Sequence, residues 1–212
     1  MDEDPIGARL NALLANASLA PLNAPQAASF EIYLSLILRW NARTNLTAVR
    51  DVDGILARHF VESIACAQAL PAEITTLLDY GSGAGFPGIP IALCRPAIQV
   101  TLAESHGKKA AFLQEALRTL GLRAKVYADR ADSLAQEFDC VTLRAVEQMS
   151  NAVTVAARLV RPGGWLVLMT THSELTPQTE ALIGRFAWQA SKPLPNSSER
   201  VLAIAQKLGS EE

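Results

Sequence analysis

The chain has 212 residues, half of them apolar, and a formal net charge of -2. That length fits one substantial core with a smaller appendage rather than two full domains, and the near-neutral balance excludes a protein that coats nucleic acid nonspecifically, while a local basic face could still position one RNA. The opening MDEDP has neither a basic nor an apolar leader segment, and no apolar run approaches the roughly 20 residues needed to cross a bilayer, so a cytoplasmic protein with no membrane partner is expected.

Residues 1–72 read as a helical N-terminal extension. A first helix is predicted over 6–14. Pro25 opens a second, which carries Phe30, Tyr33, Leu34, Ile37 and Trp40 at helical spacing, as a core-facing stripe would. After a polar connection over 41–47, a third helix follows Asp51. Its apolar face holds Val52, Ile55, Leu56, Phe60, Ile64 and Ala67, with Arg58 and Glu62 on the other side.

From residue 73 to 212 the pattern changes to strands alternating with helices, which argues for a parallel sheet wrapped by helices. Strands are predicted over 75–80, 98–104, 124–128, 139–143 and 165–169, with helices starting at Pro87, Gly107 and Ser150. The last two segments, 186–190 and 201–206, are joined through Pro193 and Pro195 and end the sheet in an antiparallel hairpin. Cys66, Cys94 and Cys140 are far apart and lack C-x-x-C spacing, so they are read as buried free thiols, with no disulfide framework and no metal site. Basic residues gather at Arg39, Arg43, Arg50 and Arg58 and again from Lys108 to Arg130; each group is either a solvated helix surface or an RNA-facing one.

The stretch LLDYGSGAGFPGIP over 77–90 orders an apolar run, an acid, a glycine-rich turn and a helix-starting proline. Gly81, Gly83 and Gly85 allow positive φ angles and close approach of a ligand, and the free N–H groups of the following helix are expected to face that ligand. A doubly wound domain holds a nucleotide-like cofactor in this way. Gly83, Gly85 and Gly88 also fit the dinucleotide pattern G-x-G-x-x-G, with Glu104 at the distance of a ribose ligand, so the loop alone leaves NAD and S-adenosylmethionine open. The segment LVRPGGWLVL over 159–168, read as a helix end, a Pro-Gly-Gly turn and a buried strand, favours the latter, because it resembles the entry to the fifth strand of Rossmann-like methyltransferases.

The acceptor is read at the end of the fourth strand, DCVTLRAV over 139–146. The acid, prolines and aromatic common in amine methyltransferases are absent there, and Cys140 falls at the wrong end of the strand to act as a nucleophile. Arg144 sits nearest the transfer site, as a functional group or as the partner of a nearby carboxylate. An acceptor without a proton, such as guanine N7, explains the missing base, since catalysis then needs alignment alone.

HFVES at 59–63, GSGAGFPGIP at 81–90, SHGKK at 105–109 and Arg-Ala-Val at 144–146, with NLT at 45–47, resemble the bacterial small-subunit rRNA methyltransferase G family, also called glucose-inhibited division protein B. The resemblance runs from about residue 45 to the end. It implies an α/β, Rossmann-like class I methyltransferase with a mostly parallel seven-stranded sheet, using S-adenosylmethionine on N7 of one guanosine in 16S rRNA or the small ribosomal subunit. Within it, Gly81, Ser82, Gly83, Gly85 and Phe86 would line the cofactor, Ala131 and Asp132 would border its adenine, and Glu104 would take the ribose position, where many relatives have Asp. Arg144 would be catalytic and contact cofactor or target base, while Arg58, His59, Lys108 and Arg130 match basic positions assigned to RNA or site architecture. No metal is implied, and a monomer is expected because no heptad or long exposed strand is evident.

The pattern departs twice from its relatives. Glu62 stands where they read His-x-x-Asp-Ser, and Met169-Thr170-Thr171-His172 replaces Leu-Lys-Gly. The missing lysine leaves phosphate contacts to His172, to Lys108 or Lys109, or to nothing. It also keeps a second function open, a ribosome-assembly or RNA-binding factor with a retained cofactor pocket and weak catalysis.

Overall fold

A computed structural model describes residues 4–145, 149–175 and 184–209, so Val146 of the Arg-Ala-Val motif lies outside the described residues. Four helical pieces come first: α1 (Ile6–Asn16), α2 (Ala24–Asn41), α3 (Val52–Gly54) and α4 (Val61–Ala69), with a π-helical turn, Ile55–Phe60, between the last two. Asn23 and Gln26 form a reciprocal capping box at the start of α2, each side chain accepting the other's backbone N–H. At its far end the buried Asn41 ties down the following loop, its amide donating to Thr47 O at 3.1 Å and its oxygen accepting from Leu46 N at 3.0 Å and Thr47 N at 3.2 Å.

The remainder alternates as expected: β1 (Thr76–Tyr80), α5 (Gly88–Cys94), β2 (Gln99–Ala103), α6 (Gly107–Thr119), β3 (Lys125–Tyr127), β4 (Phe138–Arg144), α7 (Met149–Leu159), β5 (Val160–Thr171), β6 (Phe186–Trp188), β7 (Lys192–Pro193) and β8 (Arg200–Lys207). The sheet order is β3-β2-β1-β4-β5-β8-β6, and the short β7 pairs with β8. Strands β1 to β5 are parallel, whereas β8 runs antiparallel to both β5 and β6. Order therefore reverses between β1 and β4, and in such sheets the ligand crevice opens at the carboxyl ends of the strands beside the reversal.

One apolar core joins α1, α2, the π turn and α4 to α5, α6 and one sheet face; a second lies between the other face and α7. Burial on both faces explains why β1 and β4 place apolar residues at consecutive positions, Leu77 with Leu78 and Cys140 with Val141, instead of alternating them with polar ones. Asp139 fastens the opposite end of the sheet, accepting from Thr75 N, Thr75 Oγ1 and Thr76 N at 2.6–2.8 Å and from Arg161 Nε at 2.5 Å.

Three local expectations are corrected. The third helix is not uniform: the π turn shifts the helical phase, and α4 is enclosed on nearly every side, so Glu62 is wholly buried rather than on a polar face. The Pro-Gly-Gly segment is not a turn before a strand but part of β5, where the register slips between Phe138↔Val160 and Cys140↔Trp165. Cys66 and Cys140 are buried free thiols, but Cys94 is only partly covered.

A Cβ on Gly88 would lie 2.7 Å from Asp79 Oδ2 and 2.9 Å from Asp79 Cβ, whereas a Cβ on Gly107 meets nothing within 4 Å. Gly88→Ala should therefore lower the unfolding free energy by about 1–3 kcal/mol in chemical denaturation. Gly107→Ala should leave it within about 0.5 kcal/mol.

Candidate active site

The carboxyl ends of β1, β2 and β4 border a cavity of about 680 Å³, within the roughly 300–1,000 Å³ of small-ligand sites. Its wall includes Gly81, Ser82, Gly83, Phe86, Glu104, Ala131 and Arg144 of the expected cofactor set, and His59 and Arg130 of the expected substrate set. Gly85, Asp132, Arg58 and Lys108 are not on this wall; Lys109 is, in place of its neighbour.

The glycine loop has the backbone its sequence foreshadows, with φ of 70° at Gly81, 59° at Gly83 and 92° at Gly85. Gly85 is needed for packing rather than for approach of a ligand, since a Cβ there would lie 2.6 Å from Ile89 Cδ1 and 2.8 Å from the Tyr33 hydroxyl. The N–H groups at the helix start do not face the cavity, contrary to expectation. Gly88 N donates to Asp79 Oδ2 at 3.1 Å, Ile89 N to Gly85 O, and both Gly85 N and Phe86 N to Ser82 O. Enclosure drives this: at the first turn of α5 the buried Asp79 carboxylate takes the orphan donor. Burial pushes the Asp79 pKa up to about 6 despite hydrogen bonds from Thr142, Ser82 and Gly88.

Glu104, just past β2, closes the loop from the other side. Its carboxylate accepts from Gly83 N and from His106 N, each at 2.8 Å. A carboxylate has about four lone-pair sites, so two remain for hydroxyl donors in the cavity. Beyond it, Arg130 pairs in a fork with Asp132, so Asp132 is occupied outside the cavity while Ala131 beside it is buried at the wall.

Arg144 ends β4 and is the partner of a nearby carboxylate, the second of the two readings its position allowed. Its guanidinium lies on the cavity wall, 5.7 Å from the Phe86 ring centroid, and is clamped to the helical layer. Nη1 donates to Ser63 Oγ at 3.1 Å, and Nη2 donates to Arg58 O at 2.8 Å and Glu62 Oε2 at 3.0 Å. The other oxygen of Glu62 accepts from Arg200 on β8, Nε at 2.9 Å and Nη2 at 2.6 Å. A wholly buried carboxylate is thus shared by two guanidiniums, the pairing that makes burying it tolerable.

Sequence reasoning missed this triad. Arg200 gave no signal, and Glu62 stood out only as a departure from relatives. Thr170, where the resemblance leads one to expect a lysine, is buried and donates to Glu174 Oε2 at 2.6 Å, away from the wall.

His59 stacks on Phe86 with centroids 4.7 Å apart and planes 22° apart. Burial, then the charges of Arg144, Arg58 and Arg200, push its pKa down to about 3. The folded state therefore binds fewer protons than the unfolded chain below pH 6.5, and stability is lost as pH falls from there toward 3. Between pH 7 and pH 4 the wild type should lose roughly 2–3 kcal/mol more unfolding free energy than His59→Gln, measured by denaturation at both values.

Among the described residues there is no cluster of His, Cys, Asp and Glu able to hold a metal ion, and no helix long and apolar enough to cross a membrane. The chain matches the family model described as rRNA small subunit methyltransferase G over residues 26–200. It is 44% identical over 181 residues to the Ribosomal RNA small subunit methyltransferase G of Xanthomonas oryzae pv. oryzae, covering 82% of this chain and 84% of that one. Against the protein of the same name from Stenotrophomonas maltophilia it is 41% identical over 202 residues, covering 93% and 92%. Among solved structures it resembles M. jannaschii TYW2 in complex with AdoMet, with a TM-score of 0.57, 11% identity, and coverage of 71% of this chain and 75% of that one. That likeness shows the fold, a Rossmann-like class I methyltransferase with a largely parallel sheet. With its sheet reversal, glycine loop and cavity in place, the chain belongs to the rRNA small subunit methyltransferase G family.

Proposed function

We propose that this methyltransferase modifies N7 of one guanosine in 16S rRNA, on the RNA or the small ribosomal subunit, acting as a cytoplasmic monomer with S-adenosylmethionine as methyl donor. The observation that carries the reading is a single cavity with two unlike ends. Gly81–Gly83 and Glu104 offer backbone and carboxylate acceptors at one, and Arg144, His59 and Phe86 form a cationic and aromatic wall at the other. Membership of the family supplies the RNA class.

S-adenosylmethionine, when bound, supplies an electrophilic sulfonium methyl group. Glu104 and the backbone of Gly81 and Gly83 would hold its ribose and amino-acid portions, and Ala131 would border the adenine. Glu104 keeps two acceptor sites for vicinal hydroxyls while its other two hold the loop in shape. Guanine N7 carries no proton, so no residue need remove one. Arg144 and the His59–Phe86 pair then orient the base and exclude water, which is the whole of the catalysis required. A-form duplexes bury N7 in a deep, narrow groove, so the target guanosine is unpaired. Lys109 on the wall, rather than Lys108 or His172, is placed for a phosphate.

The test is transfer of labelled methyl from S-adenosylmethionine to small subunits and naked rRNA lacking the modification, followed by nucleoside analysis. Label in 7-methylguanosine at one position is the expected result. Cofactor binding and subunit association without transfer would instead favour the assembly-factor reading, in which the loss of the lysine at Thr170 has cost catalysis. Arg144→Ala should lower the transfer rate by about 100-fold or more with cofactor Kd changed less than about threefold. Glu104→Ala should do the reverse, raising cofactor Kd about tenfold through lost charge-assisted hydrogen bonds.

A further inference from the structure

The loop over 42–51 reaches the cavity at Leu46, which lies on its wall. The next residue, Thr47, is clamped by its backbone: Asn41 accepts from its N–H and donates to its carbonyl. The hydroxyl does something else. Thr47 Oγ1 accepts from Val49 N at 3.2 Å and lies 2.7 Å from His59 Nε2. On the other side of the ring, His59 Nδ1 lies 3.1 Å from Arg144 Nη2.

A guanidinium nitrogen cannot accept, so an Nδ1–H would have no partner there; Nδ1 is the bare nitrogen of a neutral ring, sharing the two Nη2 protons with Arg58 O and Glu62 Oε2. The proton then resides on Nε2 and is donated to Thr47 Oγ1, whose two lone pairs are filled by His59 and Val49. The opposite tautomer would set Nδ1–H against the Arg144 N–H groups and leave Nε2 without its donor role. The hydrogen-bond chain Val49 N–Thr47–His59–Arg144 thus has one direction only.

We propose that Thr47 is a positioning residue of the transfer site, its hydroxyl fixing the His59 ring as the Nε2–H tautomer, parallel to Phe86 and with its Nδ1 lone pair turned to Arg144. This rests on the proposed function, because the wall it orders is the one that faces the acceptor base. The charged groups around the ring are Arg144 on β4, Arg58 on the ring's own helical turn and Arg200 on β8, with Glu62 lying between the two outer arginines. A protonated His59 would add a further cation beside a base that becomes cationic on N7 methylation. A ring held neutral and in one orientation avoids adding that repulsion beside the Arg144 guanidinium.

The test combines ¹⁵N NMR of the His59 ring with steady-state transfer kinetics in the full chain. At pH 7 the wild-type ring should show a bare Nδ1 and a protonated Nε2. Thr47→Val, which keeps shape and removes the hydroxyl, should perturb the ring signals and lower kcat about tenfold with cofactor Kd within about twofold. Thr47→Ser should restore both ring signals and kcat. The proposal is overturned by the reverse tautomer or an imidazolium in the wild type, by a Thr47→Val protein with wild-type signals and rate, or by Thr47→Ser failing as Thr47→Val does. A wild type that transfers no methyl to RNA contradicts the proposed function itself. The ring's response to the two variants separately decides whether Thr47 sets the ring.

Discussion

A buried carboxylate must be paired or give up its charge, and in this chain Glu62 is paired from two sides. One oxygen holds Arg144 at the end of a central strand; the other holds Arg200 at the start of the antiparallel strand two places further along the sheet. Glu62 itself belongs to the helical layer. Three separate elements therefore meet at one charge, and the direction of the Arg144 guanidinium follows from that meeting. The cavity wall beside Phe86 is a consequence of this constraint as much as of the sheet. The π turn before α4 is part of the same device, because it sets the phase that carries Glu62 inward and turns the carbonyls of Arg58 and His59 to Arg144.

At the other end of the cavity, two carboxylates divide the glycine loop between them. Asp79 beneath it takes Gly88 N–H and a hydroxyl from Thr142, while Glu104 beside it takes Gly83 N–H. Tyr33 of α2 donates to Ala84 O at 2.5 Å, tying the loop to the N-terminal helices, and packs with Phe60 and Phe86. The loop is thereby shaped before any ligand arrives, and a preformed site spends little binding energy on ordering itself. The helical layer is consequently continuous with the site: the aromatic stripe of α2 ends against the loop that borders the cavity.

The architecture was largely legible. Apolar runs bounded by turn residues located β1, β2, β4 and β5, and the closing pair located β6 and β8, because strands buried on both faces need nothing more than continuous apolar character. The glycine loop and Glu104 were legible for a similar reason, since positive φ and a carboxylate at a strand end have few substitutes. Helical periodicity failed at Glu62, where a π turn broke the 3.6-residue phase and where burial on nearly every side of α4 left little polar face to detect. Arg200 carried no local signal at all; its role exists only because β8 returns antiparallel beside β5. Pro162, Gly163 and Gly164 read as a turn and proved to lie within a strand, where Gly164 is held against the Asp139 carbonyl and a Cβ would lie 2.8 Å from it. The basic surface was only half legible, because Arg39 is already paired with Glu115 and Arg130 with Asp132.

Arg200 is outside the cavity wall, and its side chain reaches Arg144 through the Glu62 carboxylate that both share. The most direct measurement is a double-mutant cycle of Glu62→Gln and Arg200→Gln read on the methyl-transfer rate. If Glu62 couples the three elements, Arg200→Gln alone slows transfer about tenfold, and the double variant is no slower than Glu62→Gln alone. Independent effects, with the two losses multiplying, would contradict the shared carboxylate as the constraint on Arg144.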